Sequence, residues 1–354
     1  MSDATNHKQL GKEYPSPQEP EIILEMIEEM EAQVDRLYKD KHMPRQVHTK
    51  MHGCVKAAFT IEPNLPEDLK VGVFAEAKTY HAWIRFSNAS TTPKADKKKD
   101  IRGMAIKLMG VPGEKLLPDE LDLNTQDFLL MSSETFFSHN LVEFRKSLKA
   151  ATAKSKLALL FYFLNPKHWG LFGRLIKTMI KCENPLDQKY WSTQPFRFGA
   201  DNRAVKYFVK PWASNNYMNE NTSDYDYLRI NMQQTLDSNP VGFDFYVQQQ
   251  TNADTMPIED PTVPWTSPFQ KVASIEIVEQ TFDSEEQTAF GENLSFNPWH
   301  SLPAHKPLGS FNRARKVAYE TMSKYRHNWN DEPMFEPKDT PDFLTEPFNA
   351  EKYV

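Results

Sequence analysis

Hydrophobic positions along this chain change period several times. From Glu21 to about Tyr38, Ile22, Ile23, Met26, Met30, Val34 and Leu37 recur at helical spacing, and Pro20 suits a helix start. Between about Val47 and Leu108 the period becomes two. Val55, Ala57, Phe59 and Ile61 alternate, then Ala82, Ile84 and Phe86, then Met104, Ile106 and Leu108. These read as half-buried strands, with Asn64-Leu65-Pro66 and Thr92–Asp100 as the breaks between them. A helical block follows from about Leu141 to Lys181, interrupted at Asn165-Pro166. Strands return at Val205–Val209, Gly242–Val247 and Val272–Val278, and Ala314–Tyr325 reads as a last helix. This order has no βαβ rhythm. It predicts an α+β fold, a mainly antiparallel sheet or barrel with helices packed outside. Residues 1–20 read as a flexible N-terminal tail, 21–330 as one domain, and 331–354 as an irregular, proline-punctuated arm.

Composition narrows the class. Of 354 residues, 39% are hydrophobic and 12% aromatic, ample for a large core. The net charge of −6 argues against a nucleic-acid surface, and the short basic run Lys97-Lys98-Lys99 reads as a solvated loop. Two cysteines, Cys54 and Cys182, make neither a disulfide framework nor a zinc site, so free thiols in a reducing compartment are expected. Met1–Pro20 lacks the apolar stretch of a secretion signal. The longest apolar run, Leu157–Leu164, stops at Asn165-Pro166, short of the roughly 20 residues a membrane span needs. With Trp169-Gly170-Leu171-Phe172 behind it, this run reads as a core helix or as the floor of an apolar channel. The expectation is a cytoplasmic protein with no membrane span.

Candidate chemistry begins on the last helix. Arg315, Tyr319 and Arg326 stand at i, i+4 and i+11, along one stripe. An arginine one turn from a tyrosine stabilises the phenolate, lowering its pKa from about 10, and a phenolate is what a ferric haem needs from an axial tyrosine. Near the other end, Arg45 lies three residues before His48. Arg85-Phe86-Ser87 then closes an apolar strand, putting an inward-facing arginine or serine in what should be core. A buried arginine needs an anion, and no acid lies nearby at strand spacing.

Together these residues resemble the haem pocket of the catalase superfamily, in particular its smaller, divergent peroxidase-like members. The family pattern R-V-V-H-A-R-G is matched by Arg45-Gln46-Val47-His48-Thr49-Lys50-Met51, and V-R-F-S by Ile84-Arg85-Phe86-Ser87. R-D-P-R-G-F-A-V-K-F is matched by Lys99-Asp100-Ile101-Arg102-Gly103-Met104-Ala105-Ile106-Lys107-Leu108, and the proximal R-x-x-x-Y with a later R by Arg315, Tyr319 and Arg326. The motifs keep their order from residue 45 to 327, while the region from about 150 to 300 matches only loosely. The resemblance implies an antiparallel eight-stranded barrel, a haem b whose iron is held by Tyr319, and hydrogen peroxide or an organic hydroperoxide as substrate, with a role in the response to oxidative stress. It implies Arg315 as the charge partner of Tyr319, His48 as distal acid–base and Ser87 as the group that orients it. Arg45, Arg85 and Arg326 would hold the propionates, and Phe144 would stack on the porphyrin.

One departure bears on chemistry. The family's N-N-T-P-V-F-F falls on Met131-Ser132-Ser133-Glu134-Thr135-Phe136-Phe137, so Ser132 stands where a distal amide would steer peroxide, with Gln126 or Asn124 as other substitutes. His52 follows His48 by four residues and would share its face on an extended strand. The Arg45 spacing and the separation from Ser87 favour His48. A rearrangement of fatty-acid hydroperoxides of the allene oxide synthase type, and haem binding with little turnover, remain as other readings. The sequence leaves a homo-oligomer open, and no glycine-rich fingerprint points to NADPH.

Overall fold

The computed structural model describes residues 8–155, 157–219 and 222–354. Helix α1 (Glu19–Tyr38) precedes the strands β1 (Lys50–Ile61), β2 (Thr79–Asn88), β3 (Arg102–Met109) and β4 (Thr125–Met131). Helices α2 (Leu141–Thr152), α3 (Ala158–Leu164) and α4 (Trp169–Thr178) come next, then β5 (Tyr190–Trp191), β6 (Phe196–Phe198) and β7 (Ala200–Pro211). The chain ends with α5 (Tyr227–Leu236), β8 (Val241–Gln249), β9 (Phe269–Ile277), α6 (Glu285–Asn293), α7 (Ser310–Asn330) and α8 (Ala350–Tyr353). β1 to β4 form one antiparallel meander and β7 to β9 another, joined where β1 pairs with β9. Short β5 bridges the remaining gap, pairing Met131 with Trp191 on one side and Tyr190 with Val209 on the other. Eight strands thus close into a barrel with helices outside it, and β6 lies beside β7.

Alternation along the strands decides what fills the barrel. Val55, Ala57, Phe59 and Ile61, then Ala82, Ile84 and Phe86, then Met104, Ile106 and Leu108 all join one interior core, as the period of two requires. Phe59 meets Phe245 edge-on at 5.2 Å and Phe128 meets Tyr207 at 5.0 Å across this core. The positions between them face outwards. Arg85 and Ser87 are therefore not directed into the barrel as the sequence suggested; Phe86 takes that place. The outer face is covered too: Trp83 packs against Phe290, Phe343 and Tyr353, the last two carried by the C-terminal arm.

Two other expectations change. Residues 8–18, read as part of a flexible tail, lie against the domain: Gly11 N–H donates to Gln250 at 2.8 Å and Tyr14 N–H to Glu259 at 2.8 Å. The half-buried Arg313 supplies a further physical reason, gathering Glu13, Glu19 and Glu259 around one guanidinium. Residues 1–7 lie outside the described set. The apolar run is not a core helix either, since none of the seven residues of α3 is buried.

One end of the barrel is plugged by the turn Pro303–His305. The ring of His305 stands edge-on to Phe74 at 5.4 Å, and its Nε2 accepts the Val73 N–H at 3.1 Å. The other nitrogen, Nδ1, must then carry the proton and donate it to the Tyr207 hydroxyl at 3.1 Å. Burial pushes this imidazole down to about 3 from 6.5. Between those values the unfolded chain binds the proton and the folded chain does not, so stability falls as pH drops below 6.5. His48, His52 and His327, also lowered by burial, act in the same direction. The unfolding midpoint should therefore drop steadily between about pH 6.5 and 4, and replacing His305 by Asn should reduce that slope by roughly 1.4 kcal/mol per pH unit. Thermal melts followed by circular dichroism across this range check both, and an unchanged slope in the variant would contradict the assignment.

Candidate active site

Between the outer face of β2–β4 and helix α7 lies a cavity of about 770 Å³, a size ordinary for a cofactor site. Leu117, Leu123, Leu129, Met131, Phe296 and Met322 give it apolar walls. Arg45, His48, Arg85, Ser87, Arg315, Tyr319 and Arg326 all line it, although 281 residues separate the first from the last. At the solvent side, Lys324 pairs with the exposed Asp119 at 3.2 Å.

His48 sits just before β1 with φ +57°, in the left-handed region that only a few per cent of non-glycine residues adopt, histidine among the more frequent. Its backbone is held on both sides: its N–H donates to Ala89 O at 3.3 Å, and its carbonyl accepts from Arg85 Nη2 at 3.1 Å. The ring Nδ1 meets Ser87 Oγ at 2.9 Å. Gly103 lies directly opposite Ser87 in the β2–β3 register. A Cβ on Gly103 would stand 2.4 Å from His48 Cε1 and 2.5 Å from Nδ1, so only glycine lets the imidazole lie against the barrel. The sequence signal for this was a glycine inside a strand, which often marks a close approach. Burial, followed by the charges of Arg85, Arg315 and Arg45, pushes His48 down to about 3. The ring is thus neutral at physiological pH, with one nitrogen free to accept a proton.

His52 does not share that face. It falls in a β-bulge between Met51 and Gly53, is fully buried, and places Nε2 2.8 Å from Asn88 Oδ1, away from the cavity. The bulge breaks the simple alternation that would have put both histidines on one side.

Three arginines gather at one end of the cavity. Arg85 donates through Nη2 to Glu292 Oε2 at 3.0 Å, and Arg45 Nε stands 3.9 Å from the same oxygen. Arg45 also donates to the carbonyls of Glu292 and Leu294 at the end of α6, where the helix dipole favours cations. Arg326 donates to Glu292 O at 2.9 Å and Asn293 O at 3.3 Å. The acid that the sequence did not offer beside Arg85 is therefore Glu292, 207 residues away. It does not satisfy the group: Arg45 Nε and Arg85 Nε are buried with no hydrogen-bond partner. Burial first, then the neighbouring arginines, lowers Arg45 well below its ordinary pKa.

Across from the barrel, α7 contributes Arg315, Tyr319 and Arg326. Tyr319 is half-buried, and its hydroxyl has no hydrogen-bond partner among the described residues; Arg315 donates to Asn312 Oδ1 at 3.3 Å. A part of the wall that sequence reasoning missed is ionic. Fully buried Lys107 binds Asp127 at 2.9 Å and the cavity-lining Glu336 at 2.8 Å. Asp127 in turn accepts the N–H of Asn297 at 2.8 Å. Burial raises Asp127 to about 6 against the pull of Lys107.

Two expected residues are not brought to the cavity. Ser132 Oγ accepts the Arg102 N–H at 2.9 Å, tying the end of β4 to the start of β3. Phe144 packs on Phe136 and Phe311 in a second core beneath α1 and α2. Gln126 accepts Leu302 N–H inside the barrel, and Asn124 borders a separate surface cleft. The carboxamides that do line the cavity are Gln46 and Asn297. The apolar α3 and the start of α4 contribute nothing to it.

No protein-family profile matches the sequence, and no curated protein matches it. Solved structures do. A fungal catalase shares 17% identity over 98% of this chain and 74% of its own, with a TM-score of 0.66. Catalase A from Saccharomyces cerevisiae shares 18% over 100% and 77%, with a TM-score of 0.64. A bacterial catalase shares 16% over 98% and 67%, with a TM-score of 0.62. The closed antiparallel barrel, its outer helices and these likenesses together establish that the chain has a catalase-like fold.

Proposed function

We propose that the cavity holds haem b and that the protein is a hydroperoxide-consuming oxidoreductase of the catalase-related peroxidase kind, acting on hydrogen peroxide or an organic hydroperoxide. The observation that carries this reading is the pairing, in one apolar cavity, of an oriented neutral imidazole on the barrel wall with an unpartnered tyrosine hydroxyl on the helical wall. The donor set suits the cofactor: Tyr319 would hold the iron, and the orphaned Nε atoms of Arg45 and Arg85, with Arg326, suit propionates. Haem, when bound there, supplies the redox chemistry that breaks a peroxide O–O bond.

The protein's own contribution is proton handling and charge. With Nδ1–H donating to Ser87 Oγ, His48 Nε2 takes a proton from one peroxide oxygen and returns it to the other, which leaves as water or an alcohol. A ring held near pKa 3 stays competent as a base down to low pH. Arg85 fixes the imidazole through the His48 carbonyl, and Gly103 leaves it room. Arg315, one turn before Tyr319 on α7, brings a positive charge to the same wall of the cavity.

Three experiments test the reading. Tyr319→Phe should weaken haem binding by more than the roughly 10–100-fold that loss of an outer partner costs a metal site, and should alter the absorption spectrum. A variant with wild-type affinity and spectrum would remove Tyr319 as ligand. His48→Ala should retain haem but lose about 10²–10⁴ in peroxide turnover, whereas His52→Ala should keep its turnover per bound haem; equal losses would refute the division of roles.

The third concerns Glu292, which engages the same arginines that propionates would need. Glu292→Gln should tighten haem binding by about three- to tenfold, the scale of one partly exposed charge-assisted contact. Binding of haem dimethyl ester, which lacks free carboxylates, should be unaffected. Titration of the apoprotein with both compounds distinguishes competition from a general change in the pocket, which would shift the two alike.

A further inference from the structure

The segment from Leu141 to Lys181 departs from the rest of the chain in charge. It carries nine basic residues and one acidic residue, Glu143, in a protein whose net charge is −6. That single acid is already engaged by Arg174 at 3.0 Å and by Ser138 at 2.9 Å. Lys154, Lys167 and Lys177 are exposed.

The same segment departs in burial. α3 has the sequence Ala-Leu-Leu-Phe-Tyr-Phe-Leu, as apolar as a core helix, yet none of its residues is buried. Phe161 is 63% exposed, Leu164 61% and Trp169 61%; Leu157, Leu160 and Ile176 are exposed beside them. The surface is nevertheless ordered. Trp169 Nε1 donates to Phe163 O at 3.0 Å, Phe163 meets Phe172 at 4.9 Å, and Tyr162 stacks on His168 at 3.8 Å. α4 anchors the unit through Leu171, 1% exposed. The result is an α3–α4 unit, tied together through Phe163, Trp169 and Phe172, that carries many exposed apolar residues close in sequence, and such surfaces mark interaction sites.

The geometry points to a bilayer surface carrying anionic lipid as the partner, with the α3–α4 unit lying in the headgroup layer. Charge complementarity selects this occupant: apolar side chains with flanking lysines are the pattern of interfacial helices, and clustered lysines respond to the negative surface of anionic lipid. Trp169 at the turn suits the water–lipid boundary. No helix among the described residues is long and apolar enough to cross a membrane, so the association is peripheral. The proposal is independent of what the cavity binds.

Flotation of the full chain with phosphatidylcholine vesicles, with and without about 30% phosphatidylglycerol, tests it. The wild type should partition at least roughly tenfold more strongly onto the anionic vesicles, and added salt should reverse this. The double variant Leu160→Glu, Phe161→Glu should lose binding while keeping its melting temperature, because neither residue packs in the core. A second variant, with Lys154, Lys167 and Lys177 each changed to Glu, keeps the apolar face and should lose about fivefold per lysine. Light scattering of wild type and double variant supplies the remaining arm. Lack of vesicle binding, binding indifferent to lipid charge, or a wild-type oligomer that the double variant dissolves would overturn the proposal, the last by assigning the face to a second copy of this chain.

Discussion

The two-residue alternation of a closed barrel governs most of what this molecule does. Once Ile84 and Phe86 commit to the interior, Trp83, Arg85 and Ser87 must face out, and the same holds for Gly103, Ala105 and Lys107 on the next strand. A barrel leaves no free edge, so the outward residues have only one way to become buried: other elements must cover them. α6, α7 and the C-terminal arm do this, and the cavity is the space they leave. The site is therefore built on the outside of the barrel, while the inside is filled by Phe59, Phe74, Phe128 and Phe245.

Charge in that space is deliberately unbalanced. Lys107 is fully buried but matched by Asp127 and Glu336, an arrangement that closes on itself. The arginines at the other end have one carboxylate between them and two buried Nε atoms without partners. Unmet buried donors of this kind are costly, and they are what the proposed propionate site would satisfy. Burial first, and then the charges of Arg85, Arg315 and Arg45, keep His48 neutral, so the arginine cluster acts on the imidazole beside it.

The apolar unit of α3 and α4 follows a different logic. Elsewhere in the chain, runs of leucine and phenylalanine go to the barrel or to the core beneath α1. Here they stay at the surface, held in place by Leu171 and by a tryptophan–carbonyl hydrogen bond. Keeping them in water is unfavourable by the area they expose, a cost that burial against a partner surface would remove.

The barrel strands rich in alternating β-branched and aromatic residues were legible from period alone, as were α1 and the helical stripe of Arg315, Tyr319 and Arg326. β4, α5 and α6 were not. Gln126 points into the barrel of β4, Asn231 and Gln233 are buried on α5, and α6 has Gly291 in its interior, so each breaks the pattern that marks its element. The sequence by itself determined the fold class and singled out seven of the residues that line the cavity, because local period and spaced motifs are properties of short stretches. Tertiary structure decided the rest. Which histidine faces the cavity turns on a bulge at His52 and a left-handed backbone at His48. The partner of Arg85 is an acid 207 residues away, and Ser132 and Phe144 are drawn elsewhere by Arg102 and Phe311. Contacts between distant segments leave no periodic trace in the chain, and only folding brings them into reach.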